Sequence, residues 1–111
     1  MYSDRNAITN NIVTDTLGGF SGIELDFSNN NAIIGNTVTG SDDDGVLFET
    51  SSNNNINGNN LTANTGYGVD LITASNSNTI TNNDLTLNTA GDRFVDGTSL
   101  NNFFSGNNPI P

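Results

Sequence analysis

The chain has 111 residues, enough for one domain (1–111), and a formal charge of −10, from ten Asp and two Glu against Arg5 and Arg93. That balance argues against nucleic acid, whose phosphates need a basic surface, and repels polyuronates and anionic membranes unless a metal ion intervenes. The lack of Cys rules out disulfides and thiolate metal sites, no apolar run approaches the roughly 18 residues of a membrane span, and residues 1–20 show no signal-peptide pattern.

Hydrophobic residues make up only 32%, low enough to raise disorder. Disordered chains, however, are rich in Pro, Glu and Lys, whereas this one is rich in Asn, Thr, Gly and Ser. Such a composition suits short strands joined by tight turns.

Taken in chain order, the sequence reads as repeated units. The first opens at Ser3 and passes through Asn6, Ile8, Asn11 and Val13 to Gly22-Ile23-Glu24-Leu25. The second runs Ser28, Asn31, Ile33, Asn36 and Val38, then Gly45-Val46-Leu47-Phe48. The third runs Ser52, Asn54, Ile56, Asn59 and Leu61, then Gly68-Val69-Asp70-Leu71. The fourth runs Ser75, Asn78, Ile80, Asn83 and Leu85; there Phe94 takes an apolar slot and Asp96 falls where Leu71 predicts an inward residue, so this rung is expected to fray or shift register. A fifth, partial unit holds Ser99, Asn102, Phe104, Asn107 and Pro109.

The Ile8 and Asn11 columns keep spacings of 25, 23, 24 and 24 residues. Apolar residues alternate with polar ones inside each unit, the period of a strand with one buried face. No stretch has helical periodicity. The units therefore predict an all-β fold, a right-handed single-stranded parallel β-helix of about 4–5 rungs of about 24 residues. Stacking puts equivalent residues about 4.8 Å apart. The column Asn11, Asn36, Asn59, Asn83, Asn107 should form a hydrogen-bonded ladder, since an amide offers a donor to one neighbour and an acceptor to the other.

The run Ser52-Asn53-Asn54-Asn55-Ile56-Asn57-Gly58-Asn59-Asn60-Leu61, followed by Gly66-Tyr67-Gly68-Val69-Asp70-Leu71, resembles the parallel β-helix repeats of pectate-lyase-like and NosD-like proteins and of alginate-epimerase catalytic modules. The resemblance covers roughly residues 3–108 and implies architecture. It carries over no catalytic residue: there is no His and no Lys, and no arginine constellation of the pectate-lyase kind. Copper, which NosD likeness suggests, finds no His, Cys or Met cluster here and is not expected.

With the apolar residues of the third strand facing inward, Glu24, Asp26, Glu49 and Asp70 face outward. Asp26 and Glu49 would stand one rung apart and Glu24 and Asp70 two, spacings near those of glycoside-hydrolase carboxylates. Any acidic solenoid face offers such pairs. They are read here, with Tyr67, as ligand-contacting residues rather than catalytic ones. Asp42-Asp43-Asp44-Gly45 is the densest charge cluster, either a solvated turn or a calcium site, calcium being the one cofactor considered. Thr14, Thr39, Thr62 and Thr86 form an outward column that β-propensity explains better than ice binding.

Residues 1–5, Tyr2 among them, offer no evident cap, whereas Asn108-Pro109-Ile110-Pro111 place prolines where another strand would continue. Two functions follow. The first is a non-catalytic extracellular or cell-surface module presenting acidic and polar faces, with carbohydrate as partner. The second is a structural solenoid, a filament or adhesin stalk, whose copies stack end to end. The chain is either a whole array or a piece of a longer one; neither reading involves nucleic acid or membrane insertion.

Overall fold

Residues 3–109 are described by a computed structural model. Each rung contributes one short strand to each of three parallel sheets. The first sheet orders β1 (Ala7–Thr9), β4 (Ala32–Ile34), β7 (Asn55–Asn57), β10 (Thr79–Thr81) and β12 (Phe103–Ser105). The second holds β2 (Ile12–Thr14), β5 (Thr37–Thr39) and β8 (Asn60–Thr62), and single bridges from Asn60 to Asp84 and from Asp84 to Asn108 extend it. The third orders β3 (Ile23–Asp26), β6 (Val46–Glu49), β9 (Tyr67–Ile72) and β11 (Gly91–Val95). Strands of one sheet lie one rung apart in sequence, the pattern of a parallel β-solenoid.

The registers pair Ile8 with Ile33, Ile33 with Ile56, Ile56 with Ile80 and Ile80 with Phe104. Val38, Leu61 and Leu85 line the second sheet, and Leu25, Phe48 and Leu71 the third. Ile33, Ile56, Val38, Leu61, Leu25, Phe48 and Leu71 are wholly buried, so the core is a set of apolar stacks along the axis. No rung could bury these side chains alone.

Corners explain much of the remaining composition. Asn10, Gly35, Gly58, Asn82 and Gly106 occupy the same turn in successive rungs, all with φ between 56° and 68°. This left-handed conformation disfavours most side chains and is the one that Asn and Gly tolerate.

Two expectations need correcting. The serine ladder passes through Ser51, not Ser52: the backbone N–H of Ser28 donates to Ser51 Oγ at 2.9 Å and that of Ser51 to Ser75 Oγ at 3.0 Å. Ser52 Oγ instead accepts from the Asn76 N–H. The fourth rung neither frays nor slips. β11 pairs with β9 so that Val95 sits beside Leu71 and Arg93 beside Val69, while Phe94 faces out, 42% exposed. Asp96 is not a core position. It closes the turn, accepting from Thr73 N–H and from the N–H groups of Thr98 and Ser99, and these donors hold its carboxyl down to about 2. Pro109 follows the Asn108 bridge; Tyr2, Ile110 and Pro111 lie outside the described residues.

Candidate functional site on the third sheet

Alternation along β3, β6, β9 and β11 aims every second residue outward. Glu24 lies beside Leu47, Leu47 beside Asp70, and Asp70 beside Phe94. Glu24 and Asp70 are therefore two rungs apart in one column. Asp26 and Glu49 are register partners one rung apart, followed by Ile72. Glu24 is exposed, and Asp26 and Glu49 are half-buried. Asp26 Oδ1 is buried with no hydrogen-bond donor.

The three adjacent aspartates separate rather than converge. Asp42 Oδ2 accepts from the Gly18 and Gly19 N–H groups at 2.8 and 3.3 Å, and Asp43 Oδ2 from Ser21 Oγ at 3.5 Å. Asp44 turns inward, 3% exposed, and its Oδ1 accepts from Tyr67 N–H at 2.6 Å. Among the described residues no group of three or more His, Cys, Asp or Glu side chains is placed to hold a metal ion.

Asp44 meets Asp70 instead, a contact absent from the sequence reading. The two carboxyls are hydrogen-bonded to each other. Burial, then the charge of Asp44, push Asp70 up to about 7. Burial also raises Asp44, against the opposing Tyr67 N–H. Two carboxyls this close cannot both ionise readily, so the proton stays on Asp70 and the charge on Asp44, which has the backbone donor. Asp70 Oδ1 is itself buried without a hydrogen-bond donor.

An aromatic pair adjoins the carboxyls. Tyr67 opens β9, and a Cβ on its register partner Gly91 would lie 3.4 Å from its ring. The Phe94 ring stacks on Tyr67 with centroids 5.4 Å apart and planes at 29°. Sequence reasoning misplaced Phe94 in the core. The available signal was Val95, which preserves a 24-residue step from Leu71. The face thus offers an exposed ring, a second ring beneath it, and a carboxyl able to donate or accept a hydrogen bond near neutral pH.

These features define a parallel β-solenoid with an acidic, aromatic outer face. The chain belongs to the NosD family, described as periplasmic copper-binding protein (NosD), which matches residues 1–110. Two solved structures of a periplasmic alginate epimerase, AlgG, one with a single substitution and one with two, share the fold. Each has a TM-score of 0.67 and 16% identity. The matches cover 94% and 95% of this chain and 36% of each epimerase chain, so the chain spans about a third of their length. None of the curated proteins matches it.

The residues present do not fit the copper of the family description. Copper sites draw on imidazole, thiolate and thioether ligands. This chain has no His, no Cys and one Met, and its acidic groups do not gather in threes among the described residues.

Proposed function

We propose that this chain is a carbohydrate-interacting module working outside the cytoplasm, holding an uncharged polysaccharide against the outer face of the third sheet without catalysing its cleavage. The carrying observation is the Tyr67–Phe94 pair, with Phe94 exposed and in register with Asp70. An aromatic face covers the apolar side of a sugar ring, while a few placed polar groups fix its orientation. A protonated Asp70 donates to a hydroxyl where an ionised one could only accept.

The titles of the fold neighbours support a sugar polymer as partner, and those titles, like the family description, support the periplasm as compartment. The charge of −10 favours a neutral polymer over a uronate. The absence of His and Lys from the chain supports binding over turnover.

A glycan array screened with and without calcium tests this reading. Neutral glycans should bind, and Phe94→Ala should abolish the signal while leaving the fold, followed by circular dichroism, intact. Silence of the unaltered chain in both conditions would refute the proposal.

A further inference from the structure

The two asparagine ladders have a direction. In each interior rung the Asn backbone N–H and side-chain Nδ2 both donate to the Oδ1 of the next Asn, as from Asn59 to Asn83 at 2.9 and 2.9 Å. Nδ2 also donates back to a carbonyl of the preceding rung, as from Asn59 to Ile33 O at 2.9 Å. Asn54 repeats the pattern, reaching Asn78 forward and Ser28 O behind. Acceptors therefore look toward the first rung and donors toward the last.

The two ends are left complementary. At the last rung Asn102 and Asn107 receive bonds on Oδ1 and donate back to Ser75 O and Ile80 O. Among the described residues, their backbone N–H groups and second Nδ2 hydrogens have no forward acceptor. At the first rung Asn6 and Asn11 donate forward to Asn31 and Asn36. Their Oδ1 atoms receive no donor among the described residues.

The strand edges match in the same sense. The Ala32 N–H donates to Asn6 O and the Asn10 N–H to Ile34 O, so in a parallel ladder the outer side of β1 carries the N–H and C=O of Ala7 and Thr9. The Phe103 N–H donates to Asn78 O and Ser105 O accepts from the Asn82 N–H, which leaves the N–H and C=O of Phe104 on the outer side of β12. Laid against β12, a second β1 would put Ile8 next to Phe104 and continue the Ile8, Ile33, Ile56, Ile80 stack.

We propose that the end bearing Asn102, Phe104 and Asn107 docks the end bearing Asn6, Ile8 and Asn11 of a second copy of this chain, so that copies stack head to tail by strand addition. Any further rung would use the same groups; a second copy is the occupant argued because one chain supplies both matching halves. Arg93 opposes the docking. It occupies the inward slot beside Val69, and its guanidinium lies over the Phe104 ring, 4.2 Å from the centroid. A docked copy forces that charge out of the lumen or buries it unpaired. This inference does not rest on the sugar reading, which concerns an outer face that stacking leaves free.

Cross-linking decides it. The chain lacks Cys, and Ala7 and Phe103 are exposed first-sheet residues in one column, four rungs, or about 19 Å, apart within a chain. A chain carrying both Ala7→Cys and Phe103→Cys, treated with a short-arm bismaleimide, should give a series of covalent oligomers. Either single variant should stop at dimers. Thr9→Pro removes an outward N–H that bonds nothing in the monomer; it should leave the urea midpoint unchanged and suppress oligomers beyond dimer in the doubly cysteine-bearing background. Arg93→Val should tighten association, read by sedimentation, by about tenfold or more. A double-cysteine chain giving no more oligomer than the single variants would overturn the proposal.

Discussion

Replacing Asn59 with alanine removes an amide that is 2% exposed and joined to three rungs. Its Oδ1 accepts from the Asn36 N–H at 2.8 Å and Asn36 Nδ2 at 3.1 Å, and its Nδ2 donates to Ile33 O and Asn83 Oδ1. After substitution the buried Asn36 N–H has no acceptor, a penalty of about 1–3 kcal/mol, and the three other lost bonds add about 0.5–1 kcal/mol each. Asn36 Nδ2 keeps its bond to Ile8 O, and Asn83 Oδ1 keeps the Asn59 N–H, which moderates the total. The expected loss is about 3–5 kcal/mol, a large share of the roughly 5–15 kcal/mol that holds a domain folded. Asn11→Ala is the internal control. Asn11 sits in the same ladder but is exposed, its Oδ1 accepts nothing, and Asn36 Oδ1 retains the Asn11 N–H. That variant should lose only about 1 kcal/mol. Urea unfolding followed by circular dichroism reads both. Equal midpoints for the two variants would refute the claim that the ladder stabilises by satisfying buried donors.

Phe48→Ala should destabilise by about 3–5 kcal/mol in the same assay, because Phe48 is wholly buried between Leu25 and Leu71 in the third-sheet stack. Asp70 sets a pH dependence. Its folded value of about 7 lies above the ordinary 3.8, so the folded state binds the extra proton. The stability Asp70 contributes is then complete below about 3.8 and lost as pH rises toward and through about 7. Asp70→Asn should therefore melt close to the unaltered chain at pH near 4 and above it at pH near 8; a gap that shrinks with rising pH would contradict the Asp44–Asp70 pairing.

The rung repeat was legible because the same side-chain types recur at each turn of the solenoid. Ile8, Ile33, Ile56 and Ile80 pack on one another, and Asn11, Asn36, Asn59, Asn83 and Asn107 bond to one another, so each column had to keep one residue type. Legibility failed where neighbouring residues were chemically alike. Ser51 and Ser52 are adjacent, and only the buried ladder to Ser28 and Ser75 selects the former. Phe94 and Val95 are both apolar, and the pairing of Gly91 with Tyr67, together with the Asp96 turn, puts Val95 inside.

From the sequence alone came the architecture, the rung length, the asparagine ladder and the outward placement of Glu24, Asp26, Glu49 and Asp70, since all of these follow from periodicity along one axis. Only the tertiary structure joined Asp44 to Asp70, separated Asp42 and Asp43 from them, and stacked Phe94 on Tyr67. Those contacts run between columns and around corners. A repeat specifies which residues lie above one another; which neighbours meet sideways depends on how each turn folds the chain back.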